Sequence, residues 1–133
     1  MTKVEKIMLN LESIPLAHKK TILSEGLKKM DEAKLGLICI IDDNQNLIGL
    51  LTDGDLRRKL MKLNKPMSAF FGEDILKFSN KNPISCRIND NLNEVVKVMI
   101  EKKIWDLPVL EKNKLKGVIH LHDALKALFN WYE

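Results

Sequence analysis

Residues 49–59 read GLLTDGDLRRK, an apolar run closing on a threonine, two aspartates one residue apart and two adjacent arginines: Thr52, Asp53, Asp55, Arg57 and Arg58. Either aspartate can contact a ligand, or it can do no more than cap the helix that follows. An arginine can clamp a phosphate or a sugar acid. Adjacent helical residues point about 100° apart, however, so at most one of Arg57 and Arg58 faces a ligand, and a solvated helix face is the alternative for both. Residues 117–127 read GVIHLHDALKA and place glycine, two apolar residues and an aspartate at the same offsets, with His120 where Thr52 stands and Asp123 where Asp55 stands. On a strand, His120 and His122 would share one face, as metal ligands require, but no third ligand accompanies them and no metal is expected. The stretch DDNQN from Asp42 has Leu47 where a calcium loop needs glycine, and it lies between strand-like runs, so it is read as a turn.

The rest of the chain adds no catalytic set: no nucleophile beside a base, no glycine loop that could cradle phosphates, no paired acids in a plausible pocket. Across 133 residues, 45% hydrophobic and 30% charged with four prolines, the composition is that of one ordinary soluble domain or two very small ones. The start, MTKVEKIMLNL, lacks the apolar core of a signal peptide, and residues 35–41, the longest apolar stretch, are far short of a membrane span; a cytoplasmic protein is expected. Cys39 and Cys86 lack C-x-x-C spacing and sit in apolar runs, which reads as two buried thiols. The net charge of +4 is spread over helices alternating with apolar residues (Lys19, Lys20, Lys28, Lys29, Lys102, Lys103), a solvated pattern that argues against nucleic acid. Trp105, Trp131 and Tyr132 are too scattered for a base-stacking surface and read as packing or interface residues.

The echo between the two motifs extends along the chain. Residues 21–30 (TILSEGLKKM) lie over 90–99 (DNLNEVVKVM), and 47–56 (LIGLLTDGDL) over 115–124 (LKGVIHLHDA), the register moving by one residue at the turn between them. The chain is therefore two copies of a unit of about 60 residues. In each copy, helical periodicity (Ile22, Leu23, Gly26, Leu27, Met30, Ala33; Leu92, Val95, Val96, Met99, Ile100) follows an N-cap candidate, Thr21 or Asp90, and two short apolar strands follow the helix. Residues 13–16 and 82–86 read as lead-in strands, Pro15 and Pro83 being tolerated at a strand start. A 60-residue copy buries too little surface alone, so the two are expected to pack sheet against sheet about a pseudo-twofold axis.

Glycine, two apolar residues, threonine or serine, two variable residues and aspartate form the closing signature of CBS domains, and nearly the whole chain resembles a tandem CBS pair, the Bateman module. GLLTDGD fits fully; GVIHLHD departs only at His120. The resemblance implies an α/β (α+β) fold of two repeats, each strand-helix-strand-strand-helix: repeat 1 with an N-terminal opening helix over 1–63, a linker over 64–81, and repeat 2 over 82–133. Within the family, KLGLICIIDDNQNLIGLLTDGDLRRKL together with GVIHLHDALKA is similar to the C-terminal regulatory region of arabinose-5-phosphate isomerases, and VEKIM and Ile14-Pro15 sit where that region places its opening helix and first strand. Those enzymes carry their chemistry in a sugar-isomerase domain, which has no counterpart here. A similar TDGD-[LI]-RR occurs in CBS pairs of some sugar nucleotidyltransferases.

The resemblance also implies a ligand site. Threonine at a strand end and aspartate in the next helical turn point into the cleft between repeats, where the carboxylate can accept both ribose hydroxyls and the threonine can donate to ribose or phosphate oxygen. The expected contacts are Thr52, Asp55, Asp123, His120, His122 and Arg57, with the base near Ile14, Leu37, Ile84 and Pro108. No cofactor is required; the ligands in view are AMP, ATP or a CMP-linked sugar acid. The partners are then that nucleotide, a second copy of the chain meeting the apolar faces of the closing helices (Leu56, Leu60, Leu125, Leu128, Phe129), and the sugar-isomerase domain of the parent chain; neither nucleic acid nor membrane is expected. A ligand-sensing regulatory module is the leading reading, and a CBS pair that only dimerises a partner is the other.

Overall fold

A computed structural model describes residues 2–129. In chain order the elements are β1 (Leu9–Asn10), β2 (Leu16–Ala17), α1 (Leu23–Ala33), β3 (Leu37–Ile41), β4 (Leu47–Thr52), α2 (Asp53–Met61), α3 (Met67–Phe71), β5 (Cys86–Arg87), α4 (Leu92–Lys102), β6 (Asp106–Glu111), β7 (Lys114–His120) and α5 (Leu121–Phe129), with single 3-10 turns at Val4–Lys6, Leu11–Ser13 and Ile75–Phe78. The chain divides into two compact units. One runs Ile14–Pro83; the other, the terminal unit, joins the residues up to Ser13 to those from Ile84 onward.

The two units are built alike. In the 14–83 unit β3 is paired in parallel by β2 and antiparallel by β4, and every residue of β3, LICII, is buried, as a strand covered on both faces must be. In the terminal unit β6 is flanked in the same way by β5 and β7, and β1 adds a fourth strand beside β7. Helices α1 and α4 are both 11 residues long and end on left-handed lysines, Lys34 (φ 56°) and Lys103 (φ 58°). Leu23, Met30, Ile38, Ile40, Leu51, Phe70 and Ile75 form one core; Val4, Leu92, Val96, Met99, Leu107, Val109 and Ile119 form the other.

The split into 1–63, 64–81 and 82–133 divides the sequence, whereas packing distributes the chain differently. The expected opening helix is a 3-10 turn at Val4–Lys6 followed by β1, and it lies in the terminal unit, where Val4 N–H donates to Asp90 O (3.0 Å) and Leu92 N–H donates to Thr2 O (2.9 Å). The stretch read as a linker does the same work in the 14–83 unit: Ile75 N–H donates to Thr21 O (2.8 Å), and Leu23 N–H donates to Glu73 O (2.9 Å). Val4 and Ile75, each fully buried, are the apolar plugs of these segments. Glu73 is pinned by Lys65 (2.8 Å) and Lys77 (3.4 Å), and the Lys65 hydrogen bond above all holds its carboxyl below the usual range.

The motif glycines make room for these segments. A Cβ on Gly117 would run into the carbonyl oxygen of Leu9, and one on Gly49 would meet Ser79 Oγ. The first is a backbone crossing, and the second is a close approach of side chains from the 64–81 segment.

Several sequence-based placements move by a residue or two. Thr21 and Asp90 do not cap α1 and α4, which begin after Ile22 and Asn91 without side-chain caps. Instead their side chains close the preceding turns, accepting N–H bonds from His18 (3.0 Å) and Arg87 (2.9 Å). The lead-in strands lie slightly later than expected, because Pro15 offers only its carbonyl to the sheet, received by Cys39 N–H. Ile100, expected in the core, is 57% exposed. The Asp42 turn is closed internally, its carboxylate accepting N–H bonds from Asn44 and Asn46 (2.9 Å each); the Asn46 bond leads in holding that carboxyl below its ordinary range.

Candidate functional site

In the 14–83 unit the motif folds into a strand-to-helix turn. Thr52 ends β4 in extended conformation and is the N-cap of α2. Its Oγ1 accepts the Asp55 N–H (3.2 Å), while Asp55 Oδ2 accepts the Thr52 N–H (3.3 Å), a reciprocal capping box. The other carboxylate oxygen, Oδ1, accepts from Arg58 Nη2 at 2.8 Å, the i,i+3 spacing that brings side chains together on a helix. The capping role of Asp55 is therefore real, and its carboxylate stays partly exposed beside Arg58. Arg58, rather than Arg57, stands beside Asp55; with Lys59 and Lys62 it lines a basic groove of about 260 Å³, while Arg57 is simply exposed.

Asp53 faces elsewhere. Its N–H donates to Gly36 O (3.0 Å) and its carboxylate occupies the place of a Gly36 side chain, at the edge of a groove of about 480 Å³ shared with Leu27, Met30, Asp31, Lys34 and Leu35. Of the apolar residues expected near a base, Leu37 pairs with Thr52 across β3 and β4 but is 1% exposed, and Ile14 is 7% exposed. Neither lines either groove.

The terminal unit repeats the geometry with different chemistry. His120 ends β7 and Leu121 N–H donates to Trp105 O (2.9 Å), matching Asp53 and Gly36. Opposite His120, at the place held by Leu37 in the other unit, is Asp106. His120 Nδ1 and Asp106 Oδ1 lie 2.6 Å apart, a short hydrogen bond between the imidazole and the carboxylate. His122 is not on the strand: it is the second residue of α5, exposed, with its ring centroid 6.1 Å from that of His120. The shared strand face required for a metal pair is therefore missing. Asp123 is half-buried, Pro108 is buried in β6, and Ile84 is 45% exposed.

Sequence reasoning missed Asp106 and named Arg57, whereas the arginine paired with Asp55 is Arg58. The Asp55–Arg58 spacing was a usable signal for the second; Asp106 became visible only through strand register. Cys39 and Cys86 are both buried. Burial first, and the nearby Asp90 charge second, push the Cys86 thiol up to about 12. Leu56 and Leu60 pack on their own core rather than standing free, whereas Leu128 (37%), Phe129 (60%) and Trp105 (71%) are exposed. Trp131 and Tyr132 lie outside the described residues.

The CBS domain family model matches twice, over residues 4–62 and 73–130. The chain belongs to the CBS-domain family. It is a tandem CBS pair of mixed α and β structure, and both matches begin at the segments that hold Val4 and Ile75. Among curated proteins it is 33% identical over 125 residues to the uncharacterized protein RP505 of Rickettsia prowazekii, covering 94% of this chain and 37% of that protein. It is 30% identical over 129 residues to the arabinose 5-phosphate isomerase KdsD of Escherichia coli K12, covering 96% of this chain and 38% of that enzyme. The CBS pair thus spans less than two fifths of these relatives. Among solved structures, CBSX2 in complex with AMP superposes with a TM-score of 0.84 at 24% identity, covering 98% of both chains, which establishes the shared fold. CBS pairs are regulatory rather than catalytic modules. No helix among the described residues is long and apolar enough to cross a membrane.

Proposed function

We propose that this CBS pair is the nucleotide-sensing part of a sugar-phosphate isomerase of the arabinose-5-phosphate type, and that it binds an adenosine nucleotide or a CMP-linked sugar acid through its strand-to-helix turns. The observation that carries the reading is the Thr52–Asp55 turn: a half-exposed carboxylate and a hydroxyl at a helix start, beside the basic groove of Arg58, Lys59 and Lys62. A carboxylate at that place suits a ribose diol, and the cations suit an anionic group on the same molecule. The AMP named with CBSX2 supports the adenosine option, and the 30% identity to KdsD supports the isomerase setting. Residues Thr52, Asp55 and Arg58 form the principal site; Asp123, His120 and His122 form a second, chemically different one; Ile14, Leu37, Ile84 and Pro108 bear on the base only through their main chain or neighbours.

The protein works in the cytoplasm as a homodimer, and its catalytic partner is a sugar-isomerase domain. Exposed Trp105, Leu128 and Phe129 favour assembly with a second copy, and they also suit the alternative of a scaffold that dimerises without ligand. Calorimetric titration with AMP, ATP, S-adenosylmethionine and a CMP-linked sugar acid separates the two readings. Saturable binding of one phosphorylated ligand is expected; a dimer that binds none of the four is the scaffold.

A further inference from the structure

Both oxygens of the Asp55 carboxylate are already engaged. Oδ2 closes the capping box with Thr52 N–H, and Oδ1 receives Arg58 Nη2 at 2.8 Å. The arginine side chain is 58% exposed and the aspartate 28%, so the pair sits where a ligand would arrive rather than inside the core. Arg58 lies over Gly54: a Cβ there would stand 3.3 Å from both terminal guanidinium nitrogens. A diol approaching Asp55 therefore meets Arg58 first.

We infer that Arg58 is a latch that selects phosphorylated ligands over the corresponding nucleosides. The inference rests on the reading of Thr52 and Asp55 as the ligand site. A single bond to one carboxylate oxygen is a weaker use of a guanidinium than a two-pronged grip on phosphate, which its fork geometry matches. A nucleotide supplies that replacement partner: Arg58 swings to the phosphate beside Lys59 and Lys62, and the released Asp55 oxygen accepts the ribose hydroxyl. A nucleoside must break the same ion pair and offers Arg58 nothing in return. The ligand class assigned to the site is a vicinal diol carrying a phosphate or a comparable anion within reach of Arg58.

Two variants read the latch to different degrees. Arg58→Gln removes both latch and clamp, while Gly54→Ala puts a methyl 3.3 Å from the terminal guanidinium nitrogens, which must give by a few tenths of an ångström, and keeps the charge, at a helical position where alanine is favoured. AMP and adenosine are titrated into wild type and both variants by calorimetry, with competition against bound AMP to measure weak nucleoside binding, and thermal melts to verify folding. In Arg58→Gln, AMP affinity should fall about tenfold, as for a lost charged hydrogen bond. Adenosine affinity should rise about two- to fivefold, the range of an exposed ion pair. Gly54→Ala should strengthen adenosine binding and weaken AMP binding less than Arg58→Gln does. If AMP binds wild type but both ligands shift in the same direction in Arg58→Gln, the latch is wrong and the site stands. If wild type binds neither, and Asp55→Ala is equally silent, the site reading fails and takes the latch with it.

Discussion

Replacing Gly117 by alanine tests the packing of the chain's opening segment in the terminal unit. The new Cβ would run into the carbonyl oxygen of Leu9, a backbone atom that cannot rotate aside, so β1 must separate from β7. The pairings Leu9 with Val118 and Asn10 with Gly117 are then lost, at about 1 kcal/mol for each hydrogen bond broken. Val4, fully buried, loosens with them, and part of its burial, about 1.5–3 kcal/mol when complete, is lost as well. The sum is roughly 2–4 kcal/mol. At the equivalent Gly49 a Cβ meets Ser79 Oγ and Leu76 Cδ1, side-chain atoms that can turn away, so Gly49→Ala should cost less than about 2 kcal/mol. Urea unfolding gives the two values, and hydrogen exchange at the Leu92 amide, which donates to Thr2 O, should accelerate in Gly117→Ala alone. A Gly117→Ala cost no larger than that of Gly49→Ala, with Leu92 still protected, would refute the argument.

Asp55→Ala should weaken nucleotide binding about ten- to a hundredfold, the cost of a charged hydrogen-bond partner, with Thr52→Ala milder and Asp123→Ala milder still; equal losses from the two aspartates in calorimetry would sink that ranking. His120→Thr takes away the imidazole bonded to Asp106 and should destabilise by about 1–3 kcal/mol, and adding Asp106→Leu, which recreates the Leu37–Thr52 pair of the other unit, should recover most of it in denaturant melts. The raised Cys86 thiol keeps its proton in the folded chain after an unfolded thiol, near 9, has lost it. Its contribution to stability is therefore intact below pH 9 and falls away between pH 9 and about 12, so the gap between wild type and Cys86→Ala should shift against wild type over that window; no change in the gap would show that the thiol is not protected.

Repetition and period made most of the fold legible. Leu23 to Met30 and Leu92 to Met99 carry a helical stripe, β3 is an unbroken apolar run, and the two signatures end on the aspartates that open α2 and α5. The opening segments were harder to place. A single 3-10 turn and a two-residue strand have no periodicity to detect, and their role depends on contacts with residues distant in sequence, such as Val4 with Asp90 and Ile75 with Thr21. Of the site, Thr52 and Asp55 were visible from the motif, but the ion pair to Arg58 depends on rotamer choice and the Asp106–His120 bond on strand register. That Leu37 and Pro108 are buried could not be read from the sequence, because a strand's sequence does not say which of its residues are covered.

Backbone amide shifts of residues 52–58, followed while the tightest-binding nucleotide of the calorimetric panel is titrated in, test the sensing role most directly. The account predicts saturable shifts centred on Thr52, Asp55 and Arg58 in wild type and their loss in Asp55→Ala. Amides there that stay unmoved at saturating nucleotide, or that move identically in Asp55→Ala, would contradict it.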